Sequence, residues 1–175
     1  MSQDHSGVAR PTLPEPLPYR LARRDIIHLM GVEDCFTPGD GEKIGALWKR
    51  FMLRHAGIPN PVNQPPVALA RVLGPDNRFD YLCAMQMTDP AAPPEGMIQR
   101  SLPPADYAVF RHAGPVTMIS RTYQLIFGAW PLVDRNFRIP PIFLELFLPK
   151  FDPATGEGGV EIWVMRQASS AASRA

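Results

Sequence analysis

The chain has 175 residues, is 45% hydrophobic and 20% charged, and carries a formal charge of +1. That length and apolar content suffice for one folded domain with its own core and fall short of two large ones. The balanced charge leaves no basic footprint for nucleic acid and no polybasic surface for acidic lipid, so neither partner is expected.

Proline is the compositional outlier, at 21 residues. So many prolines exclude a bundle of long helices and predict short elements joined by stiff connections. No run approaches the ~20 apolar residues of a membrane-crossing helix, and the first 25 residues lack the apolar core of a secretory signal. Cys35 and Cys83 form no CxxC pair and read as reduced thiols of a cytoplasmic protein. His5, His28, His55 and His112 show no metal-ligand spacing, and neither a nucleophile elbow nor a phosphate loop is present. Neither a metal nor a cofactor is expected.

In chain order, residues 1–17 and 167–175 read as disordered tails around a domain at 18–166. Tyr19 to Leu21 and Asp25 to Met30 are extended. Asp40 is a candidate helix cap, and Ile44, Leu47, Trp48, Phe51, Met52 and His55 then recur on one helical face, until Gly57 and Pro59 stop it. Val67 to Leu73 and Phe79 to Met87 flank the turn Gly74-Pro75-Asp76-Asn77 as an antiparallel pair.

After the proline-rich connection DPAAPPEG the order returns. Met97 to Leu102 and Tyr107 to His112 are extended, and Gly114-Pro115 opens a second helix. Val116, Ile119, Tyr123, Ile126, Phe127 and Trp130 form its apolar face, and Pro131 ends it. Ile142 to Leu148 and Val160 to Met165 are strands around a glycine-rich hairpin turn at Gly156 to Gly159. The fold class is therefore α+β: strand–helix–strand–strand units at about 18–88 and 96–166, forming an antiparallel sheet with both helices on one face. Leu21 and Asp25 recur as Leu102 and Asp106, each 81 positions on. A seam between two such halves is a natural groove for a small molecule.

Glu145 is a lone carboxylate in the apolar strand IFLELFL, with Phe143 and Phe147 on its own face. Under helices it would be poorly hydrated, with a raised pKa, and would attract a cation that aromatic rings also favour. Two other readings stand beside that one: pairing with Arg71 or Arg111 on a neighbouring strand, and simple edge exposure. Glu161 alternates with Val160 and Ile162 and reads as a solvent-face residue, although Trp163 shares its parity. Trp48 and Tyr123, at the margins of the helix stripes, and Tyr81, in mid-strand, are candidate wall residues. Phe110, Phe143 and Phe147 complete the set. His112 reads as a structural histidine at the start of a helix.

YAVFRHAGPV, TYQLIFGAW, IFLELFLPKFDP and VEIWV, in that order, closely resemble the second half of the gyrase-inhibitor-like (GyrI-like) domain, also known as the AraC-type effector-binding domain. GEKIGALWKRFMLRHAGIPNP and ALARVLGPDNRFDYLCAMQM fit its first half more loosely, so the resemblance covers about residues 19–166. It implies a groove whose floor carries one glutamate, matching Glu145, and an aromatic in the last strand, matching Trp163. That strand usually runs into a proline, and here Val164-Met165-Arg166 does not. Some members are fused to a DNA-binding domain and sense drugs. This chain leaves no room for one, so a stand-alone member is expected. Such members include multidrug-binding modules, a gyrase-inhibiting protein and hydrolases of cyclopropane-bearing toxins. The leading expectation is a protein binding lipophilic or cationic aromatic molecules. The alternatives are such a hydrolase, with Glu145 as general base, and a gyrase-type partner-binding inhibitor.

Overall fold

The computed structural model describes residues 17–167, and alternating apolar positions there build eight strands and two helices. In chain order they are β1 (Tyr19–Arg24), β2 (Ile27–Phe36), α1 (Gly41–Met52), β3 (Val67–Val72) and β4 (Phe79–Met87), then β5 (Ile98–Leu102), β6 (Ala105–His112), α2 (Ile119–Ala129), β7 (Ile142–Phe147) and β8 (Val160–Met165). All ten lie where extended or helical runs were expected. Two strands, not one, precede each helix, because the first of each pair leaves its own half. β1 pairs with β6 and β5 pairs with β2.

The strands form one antiparallel sheet in the order β1-β6-β8-β7-β3-β4-β2-β5. Exchanging β1–β4 with β5–β8 reverses that order onto itself. The halves meet where β7 pairs with β3, at the middle of the sheet.

Both faces of the sheet are apolar. On one, Leu47 and Phe51 of α1 and Ile126 of α2 pack with Met30, Cys83, Phe110 and Ile162 of the strands. On the other, Leu29, Leu69, Leu82, Leu144 and Trp163 form a second cluster that neither helix enters. There Arg24 of β1 donates to Gln86 of β4 at 3.1 Å, although four strands separate them in the sheet order, so the sheet curls over this face.

Element ends differ from expectation in specific ways. Asp40 occupies the N-cap position of α1 without capping it. Its Oδ2 accepts from the backbone and hydroxyl of Thr37 instead, while Oδ1 pairs with Lys43 at 2.7 Å. α1 stops at Met52, and His55 falls in a following 3-10 turn. Residues Val116–Met118 form a 3-10 turn that delays α2 to Ile119, and Pro131 lies in another, Trp130–Leu132, just beyond it. In the β7–β8 turn, Gly158 has φ +104°, and a Cβ there would lie 2.0 Å from the Lys150 carbonyl oxygen. Only glycine fits that crossing. Residues 1–16 and 168–175 of the expected tails lie outside the described residues. Of the rest, Leu17 packs on the helix-side core and Gln167 donates to the Asn136 carbonyl.

Candidate functional site

Alternation along β7 sends Phe143 to the helix side and Leu144 to the opposite cluster, and Glu145 follows Phe143. Its cross-strand neighbours are Ala68 on β3 and Ile162 on β8, while Ala70 lies opposite Phe143. Two alanines in a row on this face leave a shallow place in the floor. Tyr81 of β4, opposite Ala70, reaches across it and donates its hydroxyl to Glu145 Oε2 at 2.6 Å. From α2, Tyr123 donates to the other oxygen, Oε1. From α1, the Trp48 Nε1–H reaches the Tyr81 hydroxyl at 3.4 Å, a long contact.

Aromatic rings close the shell. Trp48 meets Phe147 edge to face at 5.2 Å, and Phe143 lies 5.2 Å from Tyr123 and 5.4 Å from Phe127. Glu145 is 6% exposed and Tyr81 4%. None of the ion pairs among the described residues involves Glu145. Arg71 instead pairs with Asp80 at 2.6 Å. Arg111, directly opposite Glu161 on β8, is exposed and shares that residue's side of the sheet.

Burial pushes the Glu145 carboxyl above its ordinary range, opposed by the hydrogen bonds from Tyr123 and Tyr81 and by the nearby His112. Burial and the Glu145 charge hold both phenols well above their usual 10.0. They are therefore protonated donors at neutral pH. Burial first, then the same carboxylate, raises the Cys83 thiol. The site holds one acid, two neutral donors and a wall of rings.

His112 secures the α2 side. Its Nε2 lies 3.0 Å from the Pro115 carbonyl, which can only accept, so Nε2 carries the proton. Nδ1 lies within hydrogen-bond distance of the Thr122 hydroxyl, at 2.8 Å, one residue before Tyr123. This is the structural role the sequence suggested.

Of the residues picked from sequence, Glu145, Tyr81, Tyr123, Trp48, Phe143 and Phe147 come together. Trp163 and Phe110 do not. Trp163 lies on the opposite face, opposite Leu144, where its Nε1–H donates to Glu161 at 2.9 Å and the Arg20 guanidinium sits 5.0 Å from the ring centroid. Alternation groups Trp163 with Glu161 on this face, and only the family likeness turns it toward the groove. Phe110 is fully buried against Tyr19 and Trp130, and β8 separates its strand from Glu145. Glu161 is only one-fifth exposed and pairs with Arg20 at 3.0 Å, so it is less open than a solvent-face position. Ala68, Ala70 and Phe127 were not singled out. The alanines were legible as the small residues of one parity in VALARVL.

Two surface clefts lie elsewhere. One, of about 540 Å³, runs between the end of β2 and α1, with its charges paired as Asp34–Arg50 and Asp40–Lys43. The other, of about 450 Å³, lies beside Arg54, Glu95 and Met97. Cleft volume and chemistry therefore part company, and the buried carboxyl with no ion-pair partner among the described residues directs attention to Glu145.

Residues 19–166 match the GyrI-like small molecule binding domain. The chain belongs to this family. A 110-residue stretch is 30% identical to the transcriptional regulator BrlR of Pseudomonas aeruginosa, taking in 62% of this chain and 40% of BrlR. This GyrI-like chain thus spans less than half the length of that relative. The structure of SAV2435 bound to tetraphenylphosphonium superposes with a TM-score of 0.69 at 19% identity, covering 87% of this chain and 95% of that one. EcmrR, in its complex with DNA, gives 0.62 at 11% identity, over 86% and 58% respectively. At those identities the likeness is one of fold. No helix among the described residues is long and apolar enough to cross a membrane.

Proposed function

We propose that this GyrI-like chain captures lipophilic aromatic cations in a groove between α1 and α2, with Glu145 as the charge partner and Trp48, Tyr81, Tyr123, Phe143 and Phe147 as the walls. The observation that carries this reading is a carboxylate 6% exposed whose side-chain partners are two phenols and no cation. A buried charge without an opposite charge is costly, and an incoming cation removes that cost. Rings around the carboxylate add cation–π attraction of roughly 0.5–2 kcal/mol each. That SAV2435, of similar fold, is seen bound to tetraphenylphosphonium supports the choice of ligand class. The palindromic strand order supports reading the halves as duplicated units, with the groove on their pseudo-two-fold seam.

Titration calorimetry with tetraphenylphosphonium and the neutral triphenylphosphine oxide tests the proposal. Glu145→Gln is expected to weaken the cation by about 1–3 kcal/mol, the range for a hydrogen bond or contact to a charged group, and to leave the neutral compound nearly unchanged. Equal losses for both compounds would remove the electrostatic role of Glu145. Mass spectrometry of a recovered cyclopropane-bearing compound separates capture from hydrolysis. Water added only when Glu145 is present identifies a hydrolase, and binding of neither compound class favours a protein partner.

A further inference from the structure

β1 and β5 end the sheet, and among the described residues each has a strand on one side only, which leaves a row of backbone N–H and C=O groups on the other. The two edges are dressed differently. β5 bares no apolar side chain: Ile98 is half-buried, Leu102 is buried, and Arg100 is tied to Glu33 at 2.6 Å. β1 bares Tyr19, 40% exposed, and Leu21, 58% exposed, on the helix side of the sheet. The apolar surface continues past Tyr19. The Trp130 ring lies 5.9 Å from it, and Leu132 and Val133, at the end of the Trp130–Leu132 turn, are exposed as well. Arginines on an edge strand ordinarily discourage another strand from pairing there. Here Arg20 is met by Glu161 at 3.0 Å and Arg23 by Asp106 at 3.1 Å, both on its own sheet.

From this edge we infer that the chain forms a two-fold dimer in which β1 pairs antiparallel with β1 of a second copy and joins the two sheets. The occupant follows from the sequence of the strand, YRLARR. Residues opposite one another in an antiparallel pair share a face, so the two-fold axis passes through one residue of β1. An axis at Leu21 sets Leu21 against Leu21 of the second copy, Tyr19 against its Arg23 and Arg20 against its Ala22. The leucines then cover each other, and a guanidinium meets a tyrosine ring on either side of them. Axes at Arg20, Ala22, Arg23 or Arg24 each set arginine against arginine, and like charges directly opposite destabilise a pair. An axis at Tyr19 leaves Ala22–Arg24 unpaired. The register that keeps the arginines apart is thus the one that buries the exposed leucine, and such self-complementarity is what a two-fold contact requires. The formal charge of +1 adds little repulsion between copies. Glu145 lies on β7, at the middle of the sheet, so this inference is independent of the ligand reading.

Sedimentation equilibrium of the full chain from about 1 to about 100 μM tests this, since interfaces of modest area dissociate within that range. Wild type is expected to pass from the 19.5 kDa chain mass toward twice that mass as concentration rises. Leu21→Lys and Leu21→Glu each set like charges against one another on the axis, and each is expected to weaken the dimer about tenfold or more. Leu21 is exposed, so both variants are expected to keep the fold, and circular dichroism checks it. Mixed in equal amounts, Leu21→Lys and Leu21→Glu chains are expected to associate to within about threefold of wild type, because opposite charges then meet on the axis. A wild-type monomer across the whole range overturns the inference. A dimer that persists undiminished in both variants overturns it as well. So does a mixture of folded variants that stays monomeric, because residue 21 then does not face its own copy.

Discussion

Two glutamates on adjacent strands, Glu145 on β7 and Glu161 on β8, show how differently one sheet can treat the same side chain. Glu161 lies on the face the helices leave free, where Arg20 reaches it at 3.0 Å and the Trp163 N–H binds it at 2.9 Å. Its charge is met by a charge, and its side chain is one-fifth exposed. Glu145 lies on the helix face, 6% exposed, with two phenol donors and no cation. Both carboxylates are hydrogen-bonded and both lie among aromatic rings. The difference is the partner: Glu161 meets a guanidinium, whereas the buried Glu145 meets two phenols and no arginine or lysine, and burial pushes its carboxyl up. Aromatic neighbours alone therefore do not separate the two glutamates. The presence or absence of an ion-pair partner beneath them does.

The largest effect that separates the two faces comes from Trp163. Removing a buried indole costs about 3–5 kcal/mol of stability, and Trp163 is 7% exposed, packed on Tyr107 and covered by Arg20 and Arg24. Trp163→Ala is expected to lose that much by urea denaturation, while tetraphenylphosphonium affinity of the folded protein stays within about twofold, because the sheet separates the indole from Glu145. Trp163→Phe repeats the affinity test at smaller cost. A parallel fall in affinity and stability would place the ligand on both faces of the sheet.

That assignment also measures what the sequence disclosed. The helices and the strand alternation were legible because their periods, 3.6 and 2, persist over whole elements. Glu145 was legible because one carboxylate interrupts an otherwise apolar strand. Its partners were not. Tyr81 reaches Glu145 across a floor kept low by Ala68 and Ala70, a relation between three strands that no single run displays. Trp163 was expected in the groove because the family likeness outweighed its shared parity with Glu161, which alternation puts on the face away from Ile162 and Val164. The exchange of β1 and β5 between halves was hidden for a related reason: edge pairing depends on which neighbour is free, and local sequence does not encode that.

A second effect sets stability against affinity through pH. Glu145 has its carboxyl raised above the ordinary 4.5 by burial, so the folded state holds this proton more tightly than the unfolded chain. The sign follows: this group favours folding most below about 4.5 and its contribution declines as pH rises through the raised value. Glu145→Gln is expected to gain thermal stability relative to wild type between pH 4 and 8, because the neutral amide escapes that loss. Cation affinity runs the other way. It requires the ionised form, so wild-type affinity is expected to rise with pH across the same window, by at most about tenfold per unit, with proton release on binding. Calorimetry in two buffers of different ionisation enthalpy reads that proton. An affinity flat across the window would mean that Glu145 is already ionised throughout it, and the stability gap would then be flat as well.

The smallest effect belongs to Glu161→Gln. Its partner Arg20 is about half exposed, and pairs of that kind contribute about 0–1 kcal/mol, less when salt screens them. The amide still accepts from the Trp163 indole, so packing on that face is retained. The expected result is a stability change below 1 kcal/mol and an unchanged cation affinity, set against the loss that Glu145→Gln produces at the same charge cost. Both substitutions remove one negative charge from neighbouring strands, so any long-range electrostatic contribution to cation binding is common to them. Only the difference between them reports the local site. If Glu161→Gln weakened tetraphenylphosphonium as much as Glu145→Gln, the attraction would come from the net charge of the domain, and neither the burial of Glu145 nor its aromatic shell would be needed to explain it.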